Sequence, residues 1–260
     1  MNWNDISVEQ FIEIKNLKLE DFNSHFEYYK ELISICYQKS NDEIDEMDID
    51  EFDDLKNKIS FLFTDIPEKN KDIVLINNIS FHFINNLNKI TLAEWLDLEY
   101  YLLNDFNNNF TKILAILFRI KEEKNSILFP DKFEEYESFS SHRANLFLNI
   151  KLTDVYGVVK KYITWRENLL QQYHGLFKNQ DETDNAKDLT EKEIEILTES
   201  DQKQLKSDIE KEKKIAKWNI EVFLKNITGN DITKVEQIIK LNLIFILNWK
   251  SADIEVGNQN

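Results

Sequence analysis

The stretch Asp72–Ile84, with the sequence DIVLINNISFHFI, interrupts a chain whose other apolar residues recur mostly at helical spacing. It is rich in β-branched and aromatic residues, and apolar and polar positions alternate after the pair Asn77-Asn78. Asparagine tolerates the positive φ angles that a two-residue hairpin turn requires. The stretch therefore predicts one β-hairpin over residues 73–84.

Outside this hairpin the sequence predicts helices. The chain of 260 residues contains only 4 Gly and 2 Pro, far below the roughly 7% and 5% of average usage, and these residues interrupt regular structure most strongly. Ser7 with Gln10, and Thr91 with Glu94, have the side chains of capping boxes and predict two helix starts. Apolar residues at spacings of three and four predict helices through several sets of positions. These sets are Val8, Phe11 and Ile12; Phe22, Phe26, Tyr29, Leu32, Ile33 and Cys36; Met47, Phe52, Leu55, Ile59 and Leu62; residues 113–120; and residues 153–177.

The predicted fold class is therefore mainly α: a multi-helix bundle with one small β-hairpin and an appended C-terminal helical element. Residues 1–177 form the helical domain that contains the hairpin. The polar residues 178–192 form a solvated linker. Residues 193–250 form the C-terminal helical element, in which Asp231 caps a final helix to about Trp249. Residues 251–260 form a flexible tail.

The charge of the chain is strongly acidic, with 32 Lys+Arg, 48 Asp+Glu, a formal net charge of −16 and a pI near 4.8. Because affinity for nucleic acid depends on cationic contacts to phosphate, this charge argues against specific nucleic-acid binding. The acidity is densest at Asp42, Glu43, Asp45, Glu46, Asp48, Asp50, Glu51, Asp53 and Asp54. The spacing lacks the glycine and final glutamate of an EF-hand. It predicts a solvated acidic face, with a surface that repels DNA and adventitious divalent-cation binding as alternatives.

The sequence carries no catalytic, cofactor-binding or metal-binding motif. The four histidines lie far apart and without ligand spacing, and four glycines are too few for phosphate-binding loops. Cys36 is the one cysteine and shares a helical stripe with Leu32 and Ile33, which favours a small buried apolar residue over a nucleophile. The first nine residues lack the basic and apolar regions of a signal peptide. We therefore expect a non-enzymatic protein without a cofactor or metal.

The closing segment from Val235 to Trp249 is the most apolar part of the chain. Its apolar residues lie nearly all round a helix, so one neighbouring element cannot cover them. At about fifteen residues it is shorter than the roughly 20 residues that cross a bilayer. Three interpretations follow: an enclosed core helix, a subunit interface, or insertion into a membrane at one stage of a life cycle. The candidate interface residues are Ile238, Leu241, Phe245 and Trp249.

Two segments resemble proteins encoded in the tail and portal gene blocks of tailed phages. They are NKITLAEWLDLE at Asn88–Glu99 and ILAILFR at Ile113–Arg119. The first has the order threonine, aliphatic, acid, aromatic and Asp of a helix that precedes an aliphatic-Leu-Ala helix in those proteins. The Asn-, Lys- and Ile-rich composition is similar to that of proteins from the AT-rich genomes of crAss-like phages. Other segments follow in the same order, so that the resemblance covers residues 1–177: WNDISVEQF at Trp3–Phe11, the hairpin, FEEY at Phe133–Tyr136, and DVYG at Asp154–Gly157.

The resemblance implies a non-enzymatic virion protein associated with the portal or tail, present in several copies and in contact with portal or tail proteins. It also implies that such a protein can be cargo, held in the tail lumen and ejected with the genome. An acidic surface fits this position, because packaged DNA repels it at short range. The alternative is a tail assembly chaperone that acts in the host cytoplasm and is absent from the mature particle. A third reading, an enzyme injected into the host, has no supporting motif.

Overall fold

The computed structural model describes residues 1–121, 133–134, 136, 141–173, 176, 223–225, 227–229 and 231–257. The predicted linker 178–192 and residues 193–222 of the predicted C-terminal element lie outside these residues. The described chain is mainly helical with one small three-stranded antiparallel sheet. This confirms the predicted fold class.

The chain forms two compact units. The first contains residues 1–87 and 97–165, and the second contains residues 88–96 with the described residues after 165. The sequence placed a boundary near residue 178, whereas the first unit ends at Trp165 and the segment before Asp97 belongs to the second unit. Segment 88–96 belongs to the second unit because its backbone forms hydrogen bonds with residues about 150 positions later in the chain. No local sequence pattern reveals such a distant pairing.

The first unit opens with four helices. Each begins after a side chain that accepts a hydrogen bond from a backbone N–H of the first turn, which satisfies a group that the helix itself leaves unpaired. The predicted box of Ser7 and Gln10 is confirmed, since Ser7 Oγ accepts from the Gln10 N–H at 3.1 Å and Gln10 Oε1 accepts from the Ser7 N–H at 2.9 Å. The helices are α1 (Val8–Asn16), α2 (His25–Tyr37), α3 (Asn41–Asp45) and α4 (Ile49–Lys58).

The sheet contains β1 (Ile73–Ile76), β2 (Ile79–Phe83) and β3 (Phe118–Ile120), in the order β1-β2-β3. The predicted hairpin is confirmed: Asn77 and Asn78 form its turn with φ angles of 50° and 63°. The third strand corrects the prediction of a helix over residues 113–120. The helix ends before Phe118, whose ring packs 6.0 Å from that of Phe83 across the β2–β3 pair. Sheet pairing and aromatic packing therefore override the local helical spacing.

Four further helices complete the described chain up to residue 173. Phe110, Ile113 and Leu114 are fully buried on α6 (Phe106–Leu117), so this helix forms the centre of the first unit. The Phe110 ring lies 5.1 Å from that of Phe11 on α1. The long helix predicted over residues 153–177 is observed as α8 (Leu152–Gln172), which begins one residue earlier and ends at Gln172. The helices are α5 (Leu92–Leu103), α6 (Phe106–Leu117), α7 (Ser141–Asn145) and α8 (Leu152–Gln172).

A partly buried ionic cluster holds β3 in the first unit. The Glu134 carboxylate accepts hydrogen bonds from the Ile120 N–H at 2.9 Å and from Arg143 at 2.5 Å. Arg143 also donates to the Phe118 carbonyl at 2.9 Å. Arg119, only 4% exposed, donates to the Glu134 carbonyl oxygen. Both arginines thus converge on one glutamate, which gives the buried Arg119 guanidinium a carboxylate partner at 3.9 Å.

The second unit ends with α9 (Val235–Ile238) and α10 (Leu243–Gly257). The sequence predicted one helix from Asp231 to about Trp249 and a tail from 251, whereas the structure has two helices and α10 ends at Gly257. Asp231 caps a short 3-10 turn instead, accepting from the Thr233 N–H at 3.0 Å. The two helices are separate because residues 239–243 pair with residues 90–93 through three backbone hydrogen bonds of 2.9 Å.

Candidate interaction surfaces

Three of the four predicted interface residues form an exposed apolar row. Leu241, Phe245 and Trp249 are 42%, 60% and 48% exposed, and Ile238 is half-buried. Their spacing of four residues puts Phe245 and Trp249 on the same side of α10, with Leu241 just before its first turn. We call Leu241, Phe245 and Trp249 the α10 stripe. The sequence predicted these residues as a candidate interface because apolar residues lie nearly all round the closing helix, and the structure places the three side chains at the surface of the second unit.

The opposite side of α10 anchors the stripe. Leu243, Ile246 and Leu247 are at most 1% exposed. At the first turn, Asn242 Oδ1 accepts from the Phe245 N–H at 3.0 Å, and the Asn242 amide donates to the Asn88 carbonyl. The helix is thus both a core helix on one side and exposed on the other. This combination explains why the apolar residues of α10 itself lie nearly all round the helix.

Residues 239–243, which lead into α10, pair with residues 90–93, and this second segment is fixed by the second predicted capping box. Glu94 Oε2 accepts from the Thr91 N–H and from Thr91 Oγ1, both at 2.8 Å, and Thr91 Oγ1 accepts from the Glu94 N–H at 3.3 Å. Glu94 is 4% exposed. The backbone around Thr91 therefore forms a rigid start to α5, against which residues 239–243 pair.

All nine residues of the predicted acidic face are exposed. Four of them have local structural roles. Asp48 caps α4, Glu43 completes the capping box of α3, Asp45 pairs with Lys30 at 2.5 Å, and Asp54 pairs with Lys58 at 2.5 Å. Hydrogen bonds from the Ser40 backbone and side chain lower the pKa of Glu43. Among the described residues, no ion pair engages the other five: Asp42, Glu46, Asp50, Glu51 and Asp53. These five contribute to the charge that the surface presents to solvent.

A groove between α1 and α2 was not predicted from the sequence. It has a volume of about 690 Å³ and three carboxylates in its wall, those of Glu9, Glu13 and Glu31. Burial, and then the charges of Glu9 and Glu31, raise the pKa of Glu13. Helical spacing could have revealed Glu9 and Glu13 on one side of α1, but the approach of Glu31 from α2 is a tertiary contact. The wall also contains Lys39, so the charged groups of the lining are three acidic and one basic.

The outer face of the hairpin is a second exposed apolar region. Ile73 and Leu75 are 51% and 64% exposed, whereas Val74 and Ile76 between and beside them are buried on the inner face. The sequence predicted the hairpin but indicated no candidate role for Ile73 and Leu75. The four residues of β1 are all apolar, so its sequence contains no alternation that distinguishes the inner from the outer face.

The reactive side chains do not converge in the part of the chain that is described. Cys36 is 4% exposed, and burial raises the pKa of its thiol to about 12, so that it behaves as the apolar residue predicted. Burial, and then the charge of Lys121, lower the pKa of His82. Within the described ranges, no three His, Cys, Asp or Glu side chains are grouped so that they could hold a metal ion.

No family model matches this chain, and neither a curated protein nor a solved structure is significantly similar to it. In the described part, none of the helices is both long enough and apolar enough to cross a bilayer. The function proposed below therefore depends on the residues and surfaces of this chain.

Proposed function

We propose that the protein is a non-enzymatic component of a tailed-phage particle, located at the portal or tail and able to travel as cargo with the ejected genome. The observation that carries the proposal is the α10 stripe. An anchored helix exposes a large Phe and a large Trp, and aromatic side chains of this kind are the residues that dominate subunit contacts. The segments that resemble portal and tail proteins, Asn88–Glu99 and Ile113–Arg119, suggest which subunits are contacted.

The acidic face supports the same location. Its nine carboxylates are exposed, and the chain carries a net charge of −16. Beside packaged DNA, such a surface is repelled at distances of about one Debye length, roughly 8 Å at physiological salt. A protein that shares the portal or tail with a moving genome would therefore not bind the DNA and retard its exit.

The expected strength of the stripe contact follows from its exposed area. Phe and Trp side chains bury about 150–250 Å² each when they are covered, and about half of each ring is still exposed here. At about 25 cal/mol per Å², covering the rest of each ring contributes about 2–3 kcal/mol. Removing both rings is then expected to weaken the contact by at least about a hundredfold.

The test is incorporation of the full-length protein into phage particles. Particles are produced with the wild-type chain, with the double variant F245A/W249A, or with the control F63A, since Phe63 is as exposed as Phe245 at 60%. Peptide mass spectrometry then gives the amount of this protein relative to the portal protein. We expect wild-type and F63A particles to contain equal amounts, and F245A/W249A particles to be strongly depleted.

Two results would contradict the proposal. Absence of the wild-type protein from purified particles, with presence in assembly intermediates, would establish the alternative of a tail assembly chaperone. Normal incorporation of F245A/W249A would exclude the α10 stripe as the contact. Thermal unfolding of the purified variants separates a lost contact from a lost fold, because truncation of two exposed rings leaves the core intact.

A further inference from the structure

Among the residues that the structure describes, strand β1 lies at the edge of the sheet, with β2 on one side only. The Phe83 N–H donates to the Asp72 carbonyl at 2.8 Å. Because bonding residues alternate along an antiparallel pair, Val74 also directs its N–H and C=O to β2, whereas Ile73 and Leu75 direct theirs away from the sheet. Across the described part of the chain, no hydrogen bond engages the backbone of Ile73 or Leu75. The edge therefore presents the outward-directed N–H and C=O groups of two residues, Ile73 and Leu75.

The side chains of this edge are apolar and lack the usual protection. Edge strands of soluble proteins commonly carry a charged side chain, a proline or a bulge that prevents pairing with another chain. The sequence of β1 is IVLI, and Ile73 and Leu75 are 51% and 64% exposed. Opposite them on β2 lie His82 and Ser80, so the outer face of the hairpin carries no acidic or basic side chain other than the histidine.

We propose that β1 pairs antiparallel with β1 of a second copy of this chain, so that two three-stranded sheets join into one. Only the outward residues can bond, and the register that bonds both of them in both copies is the one in which Ile73 of one copy faces Leu75 of the other, with Val74 on the two-fold axis. This pairing forms about four interchain hydrogen bonds. It also brings both Ile73 and both Leu75 side chains together on the outer face.

A second copy fits this edge because the edge is complementary to itself. The spacing of two between Ile73 and Leu75 means that one arrangement satisfies both residues of both copies, as an isologous interface requires. In that register Asp72 of each copy faces Ile76 of the other, so no like charges lie opposite each other. This contact uses the first unit and is separate from the α10 stripe of the second unit. It therefore does not depend on the proposed function.

The contact is expected to be weak. A strand pair of four residues covers much less than the roughly 800 Å² per partner of a stable interface, so we expect a dissociation constant of about 0.1 mM. Pairing of this strength forms at high local concentration and dissociates on dilution.

The first measurement uses the wild-type full chain. Sedimentation equilibrium between about 10 µM and 1 mM gives the monomer–dimer ratio, and amide hydrogen exchange over the same range locates the contact. We expect the Ile73 and Leu75 amides to exchange more slowly as the concentration rises. The Val74 amide, already bonded to β2, should not change with concentration. A monomer at every concentration, or a dimer in which the Ile73 and Leu75 amides are unaffected, would overturn the proposal.

Two edge variants and one matched control complete the test. L75P removes an outward N–H without removing a bond of the hairpin, and L75K adds a charge at the edge. S80K adds the same charge to the same face, at the β2 residue paired with Leu75. We expect dimerisation to weaken at least tenfold in L75P and L75K and to stay within about threefold of wild type in S80K. Equal loss in S80K and L75K, or dimerisation of L75P at wild-type strength, would refute pairing through the edge.

Discussion

Asn242 caps α10 and ties its first turn to the Asn88 carbonyl, and the substitution N242A tests how much this contributes to the position of the helix. Its Oδ1 accepts from the Phe245 N–H at 3.0 Å, and its amide donates to the Asn88 carbonyl. Loss of a helix cap costs about 0.5–2 kcal/mol, and loss of a further hydrogen bond about 0.5–1.5 kcal/mol. Since both bonds lie at the surface, we expect a total of about 2 kcal/mol. Local opening should then make the amides of α10 exchange about thirtyfold faster.

The variant N242D separates the two contributions. Its carboxylate can still accept from the Phe245 N–H and lies at the favourable end of the helix dipole, but it cannot donate to Asn88. We therefore expect N242D to accelerate exchange in α10 much less than N242A does. Amides of α6 in the first unit serve as the internal reference in the same spectra. If N242A leaves exchange in α10 within about threefold of wild type, or if N242D is as disruptive as N242A, the cap does not hold this helix.

Three further predictions concern the core, the thiol and the charge. L247A, at a fully buried position, should lower the free energy of unfolding by about 2–5 kcal/mol, while F245A should change it by less than about 1 kcal/mol, as denaturant titration would measure. Because burial raises the pKa of Cys36 from 9.0 to about 12, the unfolded chain loses the thiol proton within that window while the folded chain keeps it. The free energy of unfolding should fall as the pH rises from 9 to 12, and C36A should reduce this slope. Self-association should strengthen as NaCl is raised from about 20 to 300 mM, because salt screens the repulsion between copies of charge −16; weakening in sedimentation would instead indicate a contact made by ion pairs.

The features that the sequence predicted correctly depend on neighbouring residues alone. Asn77-Asn78 predicts the hairpin because both residues adopt the left-handed backbone of a two-residue turn. Ser7 and Thr91 predict helix starts because their partners, Gln10 and Glu94, lie three positions away, within one helical turn. The burial of Cys36 follows from its place among the apolar residues of α2.

The features that the sequence did not reveal depend on residues that are distant in the chain. The Phe118 strand forms because β2 supplies a pairing edge and the Phe83 ring, although residues 113–120 fit a helix. The break before α10 forms because residues 239–243 bond to segment 90–93. Phe26 was predicted on the apolar side of α2, yet it is 52% exposed, because it lies in the first turn and packs only one side of its ring against Phe52 at 4.7 Å.

The distribution of charge determines where this chain can associate. Residues 238–249 contain a single charged side chain, Lys240, and residues 73–84 contain none apart from His82. The carboxylates that give the net charge of −16 are densest at Asp42–Asp54, in other helices. Repulsion between acidic bodies acts over about a Debye length, whereas apolar contacts act only when the surfaces touch. Random encounters are therefore repelled, and close contact is least costly at these two segments without acidic residues, each of which exposes apolar side chains. The acidic charge thus suppresses aggregation through the exposed apolar side chains. It still leaves specific pairing at these two segments possible.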